Sequence, residues 1–448
     1  MTTFKRWRIF YLVVIELAQK YTKALVGGFI AGFILSLLFW KLYPVMVKPY
    51  FVQIERVGIV GEFSPNSLPQ SIQKELSMGL TTIAPDGSVL PGLADTWVAT
   101  DSGKIFTFYL RNDVAWHSGE AVTAVDVNYS IKSVNISVLD SKTLRITLPT
   151  AYSPLPSLLS KPLFKSGLQG MGVYKVASIK LNGDKVTYLK IVPANLKSQL
   201  RDKEYRFYRT EAAAILAYKM GDVDQLFDMS SPYDLNGWGE TKVIKKTSYN
   251  RIVSIYFNMS NPQFQDKDFR HALALAVPKM PGERAISPIS KTSWAYTDKL
   301  KKYDTDLVLA KKTLGNTKDA TESSSLTLTT FATYADTAQV IADSWTSIGV
   351  PTSVKVVNTV TPEYEMLLSG QDIPPDPDQY PFWHSTQAQT NITRFGNVKI
   401  DKLLEDGRQV IDAESRKKIY ADFQRRIVEE APVIFLYYPT VYSITRAR

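Results

Sequence analysis

Asp86-Gly87 … Leu90-Pro91-Gly92-Leu93-Ala94 … Trp97, and after it Phe106-Thr107-Phe108-Tyr109-Leu110-Arg111-Asn112-Asp113-Val114-Ala115-Trp116-His117-Ser118-Gly119-Glu120 running on to Asp126-Val127, is the stretch that decides the fold. Two short patterns lie about one strand-hairpin apart. Ile105–Arg111 has strand composition, and so has Thr143–Leu148 after a link of about 30 residues. Outward from this stretch, the 448-residue chain is too long for one compact core and fits two or three lobes.

Composition excludes several function classes. There is no cysteine, so disulfides, thiolate zinc sites, cysteine nucleophiles and a lipidated cysteine are all absent. The three histidines, His117, His271 and His384, stand far apart and in no metal-binding spacing. No metal or cofactor is expected, and no nucleophile stands with its base, so an enzyme is not expected. The net charge of +10 is concentrated at the N-terminus, where residues 1–50 hold seven basic side chains against Glu16 alone. The remainder is only mildly basic, and nucleic acid is not an expected partner.

Residues 24–40 carry no charge, and Lys41 can snorkel, so the apolar run over 24–46 reaches the roughly 20 residues of a membrane span. No small-residue cleavage site follows, which predicts an uncleaved transmembrane helix. Five basic residues precede it, placing the N-terminus in the cytoplasm and the rest outside. Residues 1–23 read as a basic, amphipathic cytoplasmic segment. Trp40, Tyr43, Tyr50 and Phe51 would mark the outer interface, and Gly28 with Gly32 forms a small-residue packing motif.

The ectodomain alternates strand and helix patterns. Asn182-Gly183 between two strands predicts a type I′ hairpin. Helices are expected over Glu211–Met220, closed by Gly221, and over Phe269–Val277 and Asp304–Leu314. Ala335–Ser347 follows between strands Leu326–Phe331 and Thr352–Asn358. Asp401–Ile411 and Glu414–Glu430 precede a last strand, Val433–Tyr438. The passage reads as α/β.

The opening stretch resembles the signature of the family 5 solute-binding proteins, the receptors that deliver peptides, dipeptides or nickel to ABC importers. The resemblance continues in order along the chain. It includes Ser77-Met78-Gly79-Leu80, Gly172-Val173-Tyr174-Lys175-Val176, the helix ending Gly221-Asp222-Val223-Asp224, and Tyr256-Phe257-Asn258 with the block from Phe264 to Ala276. Ser293-Trp294-Ala295-Tyr296, Asp376-Pro377-Asp378 and Val398–Arg408 complete it. It implies a two-lobed periplasmic-binding-protein-like α/β fold (type II, with an extra β-rich subdomain), preceded here by the transmembrane helix. Lobe I would span 51–256 and 433–448, with the β-rich subdomain at about 68–150, and lobe II would span 257–432. The crossings would fall near Ser254 and Glu430.

By the same resemblance, ligand binds between the lobes, a peptide held largely by main-chain hydrogen bonds. The backbone at Met78 and Gly79 would offer one edge, and the segment before Asp376 the other. Trp294, Tyr296, Tyr380 and Trp383 would wall the pocket or close the lobes, and Asn258, Asp376 and Asp378 are polar candidates. One position departs. Peptide-binding relatives carry an aspartate that pairs with the ligand's α-amine, and this chain has Ile373 there, with Asp372 one residue off. The chain is also trimmed after Ala276, where Val277-Pro278-Lys279 replaces a typical I-D-R. The expected function is a membrane-anchored extracytoplasmic receptor, partnered by a peptide or other small solute and by ABC permease subunits in the cell membrane. A receptor-derived ectodomain with a sensing, adhesion or structural role is the alternative.

Overall fold

The computed structural model describes residues 11, 20–46, 54–195, 197–317, 325–361 and 363–446. Two sheets organise them. The first has seven strands in the order Thr241–Thr247, Thr440–Arg446, Gln225–Met229, Glu55–Val60, Lys203–Tyr208, Lys185–Pro193, Tyr174–Asn182. Its centre is parallel, with Glu55–Val60 between Lys203–Tyr208 and Gln225–Met229. The second has six, in the order Glu283–Arg284, Val433–Tyr438, Arg251–Phe257, Met366–Asp372, Leu326–Thr330, Thr352–Val356. Both are mixed sheets with helices packed against them, the arrangement that strands alternating with amphipathic helices require.

Strand pairing moves the expected crossings. Ser254 and residues 433–438 belong to the second sheet, because Arg251–Phe257 pairs with both Met366–Asp372 and Val433–Tyr438. The chain therefore crosses between Thr247 and Arg251 and returns between Tyr438 and Thr440, not near Ser254 and Glu430. At that point Ser248 N–H donates to Pro439 C=O at 2.9 Å. The strand that returns to the first lobe is Thr440–Arg446, which pairs along its whole length with Thr241–Thr247.

The β-rich subdomain is a four-stranded antiparallel sheet, Ala94–Thr100, Ile105–Leu110, Thr143–Thr147 and Asn135–Val138, beside a hairpin of Thr81–Ile83 with Val89–Pro91. Phe106, Phe108 and Leu110 alternate inward, as the period of two requires. Its core extends to Leu155, Leu159, Leu163 and Met171, past the expected limit at 150. Leu68, Ile72 and Leu76, expected within it, pack instead with Val57 and Leu189 of the first lobe.

The helices Glu211–Met220 and Ala335–Ser347 have the expected bounds. Gly221 ends the former with φ +81, a left-handed cap that a Cβ would disfavour. The hairpin at Asn182 differs from expectation. Asn182 pairs with Lys185, so the two loop residues are Gly183 and Asp184, and only Gly183 has positive φ, at +62. That is the pattern of a type II′ turn, not I′.

Thr22–Met46 is one 25-residue helix. Its side chains from Val26 to Phe39 are exposed, Phe29, Phe33, Leu35 and Phe39 among them. Among the described residues, no helix is long and apolar enough to cross a membrane. Tyr50, Phe51 and most of the segment 1–23 lie outside the described residues, as do the side chains of Trp40 and Tyr43.

Candidate functional site: the junction of the two lobes

Among the described residues, the contacts that join the β-rich subdomain to the second lobe include two that bring candidate residues together. In the first, the Asp86-Gly87 turn meets the loop carrying Trp294, whose N–H donates to Asp86 C=O at 2.9 Å. Gly87, at φ +80, approaches so closely that a Cβ would lie 2.4 Å from Pro375 O. Only glycine satisfies both the conformation and the gap. In the second, Ser153 N–H donates to Arg408 C=O at 2.6 Å, and the Ser153 hydroxyl reaches Gly407 C=O at 3.2 Å.

Arg408 organises this second contact. Its guanidinium lies 5.2 Å from the Tyr152 ring of the first lobe and 4.0 Å from the Tyr380 ring of the second. Its Nε donates to Asp378 at 2.9 Å. Eight residues on, Arg416 holds Asp376 at 2.8 Å and lies 5.5 Å from the Trp294 ring. Asp376 also accepts from Asp378 N–H, and Asp378 from Tyr380 N–H. Trp294, Asp376, Asp378 and Tyr380 are thus brought together, through two arginines.

The electrostatics are those of burial. Desolvation pushes the Asp378 carboxyl up from its ordinary range, with Asp376 adding to it and Arg408 opposing. Burial, reinforced by the charge on Asp378, pushes the Tyr152 phenol up to about 12. Burial disfavours the Arg416 charge, but Asp376 together with Tyr420 more than offsets this and holds it above its ordinary value.

The other candidates lie elsewhere. Trp383 is buried, stacked on Tyr256 and edge-on to Phe435, with its N–H on Gln379. It is a core side chain. Asn258 is also buried, its amide donating to Tyr364 C=O and its oxygen accepting from Ser260 N–H, which fastens the far end of the strand Arg251–Phe257. Met78 and Gly79 use their carbonyls inside the subdomain, accepting from Leu163 and Leu93 N–H. The carbonyls of the edge expected at these two residues are thus engaged within the subdomain. Tyr296 packs partly buried against the second lobe's core.

Ile373 is buried in an apolar cluster at the crossing, with Ile252, Ala285 and Tyr438. Its N–H donates to Asn250 C=O at 2.8 Å, which fixes the register. Asp372 therefore does not move into its place. It points to solvent, 87% exposed, with Arg251 at 3.7 Å. Beside them Gly370 lies under Tyr334 and Arg251, where a Cβ would be 2.4 Å from the Tyr334 hydroxyl oxygen.

Sequence reasoning missed Arg416, Tyr152 and Arg251, and it carried Arg408 only as the end of a helical block. The available signal was the demand of two carboxylates in an otherwise apolar, proline-bounded segment for cationic partners. Among the described residues no cluster of metal-ligating side chains occurs.

Comparison with known proteins places the fold and the family. The oligopeptide-binding protein AppA of Bacillus subtilis is 26% identical, over 86% of this chain and 86% of its own. Two solved structures share the fold: the ABC transporter substrate-binding protein CtaP of Listeria monocytogenes and NikZ of Campylobacter jejuni bound to Ni(L-His). The first superposes with TM-score 0.76 at 21% identity, over 89% of this chain and 94% of that one. The second gives 0.72 at 21%, over 88% and 94%. The sequence profile of the bacterial extracellular solute-binding proteins, family 5 (middle), matches residues 88–391. Since that match takes in well over half of its length, the chain belongs to the family 5 bacterial extracellular solute-binding proteins.

Proposed function

We propose that this protein is a membrane-anchored extracytoplasmic receptor that captures peptides between its two lobes and delivers them to an ABC importer. The observation that carries the reading is the junction itself. The two lobes are joined at a paired crossing, Ser248 to Pro439, and among the described residues they also meet at the Trp294 N–H to Asp86 C=O bond, the Ser153 N–H to Arg408 C=O bond and the Arg408–Tyr152 contact. A molecule so built opens and closes about the crossing, and ligand between the lobes biases it toward closure.

The names of the relatives support peptide as ligand class: AppA of Bacillus subtilis is an oligopeptide-binding protein. Main-chain recognition of an extended ligand needs no particular side chain. Its charged ends need partners, and Asp372 with Arg251 offers one charge of each sign in solvent at the crossing. Ile373 offers none, so the ligand's amine is held by Asp372 rather than by a buried carboxylate. The anchor would be the uncharged run Ala24–Trp40, supported by the exposed apolar side chains of the helix Thr22–Met46. Binding, not chemistry, is the activity.

Native mass spectrometry of the full chain in lipid nanodiscs, followed by thermal shifts with the released molecules, tests this. A bound peptide at 100 times its Kd adds about 2.7 kcal/mol of stability. A protein that releases no peptide and is unmoved by peptide mixtures refutes the ligand class. Release of the chain from membranes by alkaline carbonate would refute the anchor separately.

A further inference from the structure

The second lobe contains a cavity of about 370 Å³ that the junction does not use. It lies between the edge of the sheet and residues 277–286, which cross that edge with only Glu283–Arg284 in strand pairing. No helix of theirs covers the sheet. Val277, Met280, Ala285, Val433, Ile434 and Phe435 give it apolar walls. Its size is that of a small-molecule site, about 300 Å³ or more.

Its charge is one-sided. Lys279, Lys301, Arg284 and Asp304 border it. Arg284 is ion-paired with Asp304 and also donates to Tyr303 C=O. That leaves two ammonium groups. Among the described residues neither Lys279 nor Lys301 has a carboxylate within 4 Å, and Lys301 lies 4.7 Å from the Tyr303 ring. Apolar walls with two unpaired cations at the rim suit a ligand with an apolar body and one anionic head, in which the head gains charge-assisted hydrogen bonds and the body leaves water.

The cavity also reaches the crossing. Ala285 and Phe435 line it and at the same time pack in the apolar cluster of Ile373, Ile252 and Tyr438, one residue before Pro439. We propose that this cavity is a second binding site, separate from the interlobe junction, for a small apolar carboxylate whose head is held by Lys279 and Lys301. Through Ala285 and Phe435 the bound ligand stiffens the crossing on which the lobes turn.

Isothermal titration calorimetry of the full chain in lipid nanodiscs with 4-phenylbutyrate, against its neutral amide and against empty nanodiscs, tests the proposal. The acid is expected to bind at least tenfold more tightly than the amide. The variant K279Q/K301Q, altered only at exposed lysines, is expected to erase that preference, and A274L, which fills the wall, to weaken both ligands. Equal binding of acid and amide, binding indifferent to K279Q/K301Q, or no heat beyond that of empty nanodiscs overturns it. None of these outcomes depends on whether peptides occupy the junction.

Discussion

Asp372 and Asp376 are four residues apart, and each faces an arginine, yet they occupy opposite environments. The Asp372 side chain is 87% exposed, with Arg251 at 3.7 Å. The Asp376 side chain is 12% exposed, with Arg416 at 2.8 Å and a backbone N–H as well. An exposed pair contributes little to stability and leaves both charges able to meet a ligand. A buried pair is committed, because removing either partner strands the other in a medium that solvates it poorly. The crossing leaves one charge of each sign in solvent, and the Asp-Pro-Asp block holds its charges in buried pairs.

The largest expected effect breaks the buried side of this comparison. Asp376→Ala leaves Arg416 uncompensated and should cost about 3–5 kcal/mol in chemical denaturation. A loss no greater than that of Asp372→Asn would abolish the distinction between the two sites. Next comes the bridge between lobes. Tyr152→Ala removes the ring against Arg408, worth about 0.5–2 kcal/mol. It should leave the denaturation of the second lobe unchanged while enlarging the ligand-free radius of gyration in small-angle scattering. An unchanged radius would mean that Ser153 and the Asp86-Gly87 turn hold the lobes together without the ring.

Asp372→Asn is smaller still. It should weaken a ligand with a free amine by roughly 1 kcal/mol, a few-fold in Kd, and leave N-acetylated peptides unaffected. Equal losses for both would remove Asp372 from the site.

Much of this could be read from the chain, but unevenly. Ala335–Ser347 and Val433–Tyr438 were legible at their bounds because each is an apolar pattern closed by strong local breaks. The strand Thr440–Arg446 was not. It begins two residues after its predecessor, and only its pairing with Thr241–Thr247, some two hundred residues earlier, gives it to the other lobe. The same holds for the site. Trp294 in one family block and Asp376, Asp378 and Tyr380 in another were named from the sequence, and the fold brings the two blocks together through Arg408 and Arg416. Arg416 and Tyr152 were not named, since nothing local in either segment shows what faces it across the fold. Trp383, named as a candidate wall, is buried against Tyr256 and Phe435, because an aromatic after proline looks alike in a cleft and in a core.

The smallest effect is a pH dependence set apart from both aspartates. His271 is partly buried against Tyr303, with its Nε2 on Glu429 C=O at 2.8 Å. Burial lowers its pKa below the ordinary value near 6.5, the carbonyl opposing and Lys301, Lys267 and Arg270 adding to the shift. Asp268, 4.0 Å away on the same helix, is its nearest carboxylate. Because the unfolded chain takes up the proton first, this residue's share of stability is whole above pH 6.5 and falls as the pH drops below it. His271→Gln should flatten that part of the stability profile while leaving stability at pH 8 nearly as it was. If His271→Gln leaves the acid slope intact, the proton is taken up elsewhere, and the ring serves only as packing for Tyr303.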